Sequence, residues 1–179
     1  MLKFNHRHSK DIDIFLPDRQ LLGHVSPRLN DAIEVLDFDE RENLIKLRLD
    51  EGEIDFVAAP PVTPIKPSLK EVVAGVYAYV EDPVEIMAKK LVYRTDYFTP
   101  RDVFDLAVVY DNIPSEMLKA APFIAPKLEA LENRLNIIDS SGELETRLQK
   151  IILFDGGQKV RGRELNICRQ CLNDIHLHK

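Results

Sequence analysis

The chain has little of what marks a secreted or membrane-spanning protein. Only two of its 179 residues are cysteine, Cys168 and Cys171, both near the end. No disulfide framework is therefore implied, and the thiols are expected to be reduced. No apolar run approaches the roughly 18 residues needed to span a bilayer. The polar opening "MLKFNHRHSK" lacks the apolar centre of a signal peptide. These absences point to a cytoplasmic protein with no membrane partner. An excess of positive charge is missing as well. The formal net charge is −6, which argues against a broad nucleic-acid-coating surface and leaves room for a local basic groove. There is no internal repeat and no low-complexity tract.

What is present fits one domain, or a small domain with an appendage, long enough to bury a core without staples. The first half reads as strands mixed with short helices. "DIDIFL" alternates acidic and apolar residues, the pattern of a half-buried strand with Ile12 and Ile14 towards the core. "DRQLLGHVSPRLNDAI" predicts two short helical pieces interrupted by Gly23 and Pro27. "EVLDFDERENLIKLRL" predicts a hairpin around "DEREN", and "GEIDFVAAP" another strand. "PPVTPIKP" is a loop, because its prolines deny the backbone its helix and ladder bonds. "SLKEVVAG" predicts a short helix with Ser68 as cap and Glu71 closing a capping box, followed by a strand "VYAYVE". From Asp82 the character changes. Asp82–Pro83 and Thr99–Pro100 are helix starts, and Pro114, Pro122 and Pro126 mark further boundaries. The expected class is α+β: a small mixed sheet with flanking helices over residues 1–82, then a helical region over 83–179.

Alternate side chains of a strand share a face, so Asp11 and Asp13 point the same way. Their Cα atoms lie roughly 6–7 Å apart at the usual rise, within reach of one hard cation. A second strand carries Asp55 between Ile54 and Phe56. If it pairs beside the first, three carboxylates converge, the arrangement that Mg²⁺-assisted phosphoryl or nucleotidyl transfer requires. The alternative for any D-x-D is a solvated strand face. Of "HRHS", His6 and His8 are either metal ligands or a flexible polar lead. Arg7 suits a phosphate, and Ser9 suits a turn into the strand.

"HRHSKDIDIF" resembles the segment bearing the catalytic D-x-D in nucleotidyltransferase toxins of the abortive-infection type (AbiEii/AbiGii-like). A second segment, "PVEIMAKKLVYRTDYFTPRDVFDLAVV", is similar to their helix with an A-x-K-L centre, an arginine, and an R-D-x-x-D-L helix start. The matching residues are Ala88, Lys90, Leu91, Arg94, Arg101, Asp102, Asp105 and Leu106, and the resemblance covers residues 4 to 110 in order. It implies a nucleotidyltransferase fold and transfer of a nucleotidyl group from an NTP, with Mg²⁺ or Mn²⁺, to an acceptor such as tRNA. It also implies an antitoxin protein as partner. Asp11, Asp13 and Asp55 would hold the metal. Lys90 would approach the phosphates with Arg7, Ser9 and Arg101, and Asp102 would close the site or orient Lys90.

The chain departs from that family in glycine. Such enzymes carry a GGT or GGS loop roughly ten to fifteen residues before the D-x-D, whose N–H groups hold the triphosphate. Here the first glycine is Gly23, downstream of the carboxylates. Two expectations follow: catalysis is weak unless another chain supplies phosphate contacts, and the Asp11–Asp13 strand exposes an edge for self-association. The rival readings are a catalytically degenerate binding module acting through a protein partner, and a metal-dependent phosphohydrolase. At the end, Cys168, Cys171, His176 and His178 formally suffice for zinc. The two cysteines also fit one apolar helix stripe with Leu165 and Leu172, as small core residues.

Overall fold

The computed structural model describes residues 4–9 and 11–179. They form a mixed four-stranded sheet, a two-stranded sheet and eight α-helices, an α+β arrangement. The chain divides into two compact units: Ser9–Pro61, and Val62–Lys179 together with the N-terminal residues up to His8. The lead before the first strand and the loop and hairpin before residue 83 thus go with the helices.

The Ser9–Pro61 unit holds strands β1 (Asp11–Leu16), β2 (Asp37–Arg41), β3 (Leu44–Arg48) and β4 (Glu53–Ala58), in the order β1-β4-β3-β2. β2 and β3 form the expected hairpin, with the turn at Glu42–Asn43. β1 lies at the sheet edge and runs parallel to β4. Of the two expected helical pieces only the first forms, as a 3₁₀ helix over Arg19–His24 capped by Asp18, whose carboxylate accepts from Gln20 N. This helix supplies Leu22 to a small core with Ile45 and Leu47, against which Leu16, Phe38, Phe56 and Ala58 pack. That core covers one end of the sheet's apolar face. Ile12 and Ile14, expected to face the core, are instead exposed, Ile12 by 58 %. The alternation placed them correctly on the apolar face, but the segment following β1 folds over its Leu16 end only.

In the helical unit, "SLKEVVAG" is not a helix. Ser68–Val73 is strand β5, paired antiparallel with β6 (Val76–Val80). Glu71 does not cap a helix. Its carboxylate accepts from Gly75 N at 2.7 Å, closing a turn in which Gly75 has φ 79°, a conformation that glycine adopts without Cβ strain. The flanking valines favour the pleated alternative.

Helix α1 (Pro83–Tyr93) starts on the Asp82 cap, and α2 (Pro100–Asn112) on a full Thr99–Asp102 capping box, as their local signals predict. Then come α3 (Pro114–Leu118), α4 (Ala121–Ile124), α5 (Leu128–Ser141), α6 (Glu143–Leu148), α7 (Asp155–Gln158) and α8 (Glu164–Leu177). α2 is buried on nearly every side, from Asp102 through Tyr110, and packs most closely on α8. It is thus a central element of the core, with Asp102 and Asp105 as buried charged positions. Cys168 and Cys171 are fully buried there, and Cys168 Sγ lies 3.2 Å from the Val103 carbonyl. Burial pushes the Cys168 thiol well up from its ordinary range. His176 and His178 remain on the surface, so the cysteines are core residues and not half of a zinc site.

The buried Glu85 of α1 accepts from Val62 N, Thr63 N and Thr63 Oγ1 at 2.6–2.8 Å. A carboxylate with three donors is a satisfied buried charge. It ties the proline-rich loop to the helix.

Candidate active site

The Ser9–Pro61 unit segregates its charges by strand pleat. In the β1–β4 register Asp13 neighbours Asp55 and Asp11 neighbours Glu53. Across β3, Asp55 neighbours Lys46 and Glu53 neighbours Arg48, and these in turn neighbour Asp39 and Asp37 of β2. One face therefore carries two rows that run across all four strands, Asp13–Asp55–Lys46–Asp39 and Asp11–Glu53–Arg48–Asp37. Six carboxylates meet two cations there. Like charges directly opposite each other destabilise a sheet. The Asp13/Asp55 and Asp11/Glu53 neighbours are therefore the candidate functional positions of this face.

Lys46 is the residue that sequence reasoning missed on this face. Its Nζ lies 2.8 Å from both Glu53 Oε2 and Asp55 Oδ1. Desolvation opposes its charge, but hydrogen bonds to Asp55 and Glu53 raise its pKa all the same, while Lys46 lowers that of Glu53. The signal was present in principle: with the hairpin laid against "EIDF", alternation puts Lys46 beside Asp55.

Among the described residues no three His, Cys, Asp or Glu side chains converge closely enough to hold a metal by themselves. The donor set nevertheless fits a hard divalent cation. Mg²⁺ keeps several waters and takes only one or two protein carboxylates plus substrate phosphates, and Asp11 and Asp13 share a face that offers only oxygen ligands and carries excess negative charge.

In the helical unit, Lys90 of α1 reaches Asp105 Oδ2 at 2.7 Å and Asp102 Oδ1 at 2.9 Å. The two aspartates sit three apart on α2 and therefore face the same side. Arg94 approaches Asp102 Oδ2 at 3.3 Å. Asp105 also accepts a bidentate pair from Arg7 Nε and Nη2, at 2.7 and 2.9 Å, and lies 2.9 Å from His6 Nε2. Burial works against the charge of Asp105, yet Lys90, Arg7 and His6 together hold its carboxyl well below the usual carboxylate range. Lys90 is likewise desolvated, and the two aspartates raise its pKa. The next lysine, Lys89, is buried against Glu81 at 2.5 Å, so the two adjacent lysines have different surroundings.

The lead "HRHS" is not a flexible tail. Arg7 bridges Leu153 in antiparallel fashion, His8 N donates to Ile152 O, and Phe154 N donates to His6 O. Two glycines permit this clasp. A Cβ on Gly156 would lie 2.3 Å from the Phe4 carbonyl oxygen, and one on Gly157 would lie 2.3 Å from that of His6 and 2.9 Å from the Phe104 ring. His6 is buried against Phe104 and bonded to Asp105, and not exposed as a metal ligand. Arg7 is committed to Asp105. Ser9 is half-buried in the connection to β1, and Arg101 is exposed at the start of α2, outside the Lys90 cluster. Of the expected residues, the fold thus groups Asp11, Asp13 and Asp55 on one face, and Lys90, Asp102 and Arg7 in one buried network. His6 joins the buried network through a contact distant in sequence, and Lys46 joins the sheet face through its neighbours on β4.

The family model that the chain matches puts it in the nucleotidyltransferase class. Residues 1–148 match the family of the nucleotidyl transferase AbiEii toxin of type IV toxin–antitoxin systems, and the chain belongs to that family. The segment that clasps His6 and Arg7, Ile152–Gly157, lies beyond the matched residues. No curated protein matches the chain.

Proposed function

We propose that the protein transfers a nucleotidyl group from an NTP to a tRNA acceptor, with Mg²⁺ or Mn²⁺, as a cytoplasmic toxin restrained by an antitoxin protein. The observation that carries this reading is the in-register neighbouring of Asp13 and Asp55, with Asp11 on the same face. Carboxylates packed in that way favour a bound cation over a bare surface. Asp11 and Asp13 would hold the metal, which would supply positive charge against the triphosphate and the departing pyrophosphate. An acceptor hydroxyl attacks the α-phosphorus, the bond to the β-phosphate oxygen breaks, and the hydroxyl proton passes to a carboxylate of this face, Asp55. A phosphate-binding part for Lys90 is proposed from the family alone; within its own unit the ammonium is met by Asp102 and Asp105. Arg101 is exposed and available to an anion, whereas Arg7 and Ser9 act as supports.

The test is transfer of label from α-labelled NTPs to tRNA by the purified chain with Mg²⁺. The expected result is labelled RNA, reduced at least a hundredfold by Asp13→Asn. Free nucleotide in place of labelled RNA would make the protein a phosphohydrolase. One observation favours a second reading, a binding module without catalysis: Lys46 already occupies Asp55 and Glu53. Absence of both products, with toxicity on expression unaffected by Asp11→Ala, would favour that module.

A further inference from the structure

The hairpin β5–β6 stands out from the rest of its unit. Among the described residues no third strand pairs with it, and no helix packs extensively against it. An isolated two-stranded hairpin is marginal in water, yet this one exposes large apolar side chains: Leu69 by 58 %, Tyr77 by 62 % and Tyr79 by 73 %. Its register pairs Leu69 with Tyr79 and Glu71 with Tyr77, so these four share one face.

The two edges differ. β5 carries Lys70 and Glu71, and its pairing is broken by a bulge between Glu71 and Val73. Charges and bulges are the usual protection of an edge strand. β6 reads Val-Tyr-Ala-Tyr-Val, with no charge, no proline and no bulge of its own. The four-stranded sheet has its own edges, β1 and the charged β2, and β1 is the less protected. There, pairing with its own copy would bring a second set of carboxylates onto a face that already holds six.

The geometry points to β6 as a homodimerisation strand, with a second copy of this chain as its occupant. β6 is self-complementary. Antiparallel pairing about a two-fold axis through Ala78 sets Tyr77 opposite Tyr79 of the second copy and Val76 opposite Val80, with no like charges in contact. The result is a four-stranded sheet, β5-β6-β6-β5, whose Leu69–Tyr79–Tyr77 face is continuous across the axis. A two-fold contact uses one patch twice, and aromatic pairs directly across strands stabilise it. Edge pairing leaves the sheet faces open, so the contact rests on main-chain hydrogen bonds and on the Tyr77–Tyr79 and Val76–Val80 cross-strand pairs, which makes the dimer concentration-dependent.

The test uses the full chain in sedimentation velocity, from low micromolar to several hundred micromolar. The expected result is a concentration-dependent dimer, weakened at least tenfold by Tyr79→Lys, an exposed site where the monomer fold is unaffected. A crosslinking arm is independent of that variant. Ala78→Cys sits on the axis with its Cβ atoms about 5 Å apart, close enough for a disulfide or a short thiol crosslinker, and forms a covalent dimer under mild oxidation. Val73→Cys, exposed on the other strand, does not. A wild-type monomer at every concentration overturns the proposal, as does a dimer indifferent to Tyr79→Lys or equal crosslinking at both cysteines. So does a monomer that pairs through this hairpin only with a different protein.

Discussion

Replacing Asp105 by asparagine tests the buried network most directly. The side chain keeps its shape, and Lys90 keeps Asp102, but the Arg7 guanidinium loses the carboxylate that accepts from both Nε and Nη2. Both partners are almost fully buried, with side-chain exposure of 6 % and 8 %. Breaking a buried ion pair from one side costs about 3–5 kcal/mol, because the other charge stays behind without compensation. Asparagine still accepts one hydrogen bond, so the lower end applies, about 3 kcal/mol, or a fall in Tm of roughly 6–12 °C for a chain of this size. The assay is urea denaturation of the full chain followed by far-UV circular dichroism, with the exposed pair variant Asp139→Asn as control. That control is expected to change stability by less than about 0.5 kcal/mol. The difference has a pH signature. The folded carboxyl of Asp105 is held well below its ordinary value, so its contribution is complete above the unfolded value of about 3.9 and is lost as pH falls through the folded one. Lys90 is raised, so its contribution is complete below its ordinary value and lost only as pH rises through the raised one. The gap between wild type and Asp105→Asn is therefore flat through neutrality and closes below about pH 4. A loss under about 1 kcal/mol, or a gap as wide at pH 3 as at pH 7, would refute the network as a stabilising element.

Lys46→Met removes the ammonium that competes for Asp55 and Glu53. Mn²⁺ binding to the nucleotide-free chain, read by electron paramagnetic resonance, is expected to tighten about tenfold, or ~1.4 kcal/mol. Unchanged or weaker binding would show that Lys46 is no competitor. Gly157→Ala forces a Cβ to within 2.3 Å of the His6 carbonyl oxygen. It is expected to cost about 1–3 kcal/mol and to speed hydrogen exchange at His8 and Phe154, whose N–H groups bond across the clasp. Full protection at both amides would show that the clasp yields without opening.

Much of the candidate site's layout was legible because it is written at short range. Period-two alternation put Asp11 and Asp13 on one face, and the same rule put Asp55 on the matching face of its own strand. The starts of α1 and α2 follow from Asp82–Pro83 and Thr99–Pro100, where cap and ring act on adjacent residues. Legibility failed where a local pattern has two solutions. The spacing of Ser68 and Glu71 fits a capping box, but the same glutamate reaches Gly75 and closes a hairpin. Alternation also told which residues join Ile12 on a face, but not whether anything covers it.

The amino-acid sequence by itself determined the strand faces, the helix starts and the family, because each rests on neighbours within a few residues. The tertiary structure alone decided which charges meet. Lys46 lies beside Asp55 only once the hairpin pairs with β4. His6 and Arg7 reach Asp105, about a hundred positions away, only because two glycines let the Ile152–Gly157 segment close over them. Charge pairs of that kind depend on burial and on register between distant strands and helices, and no local rule carries either.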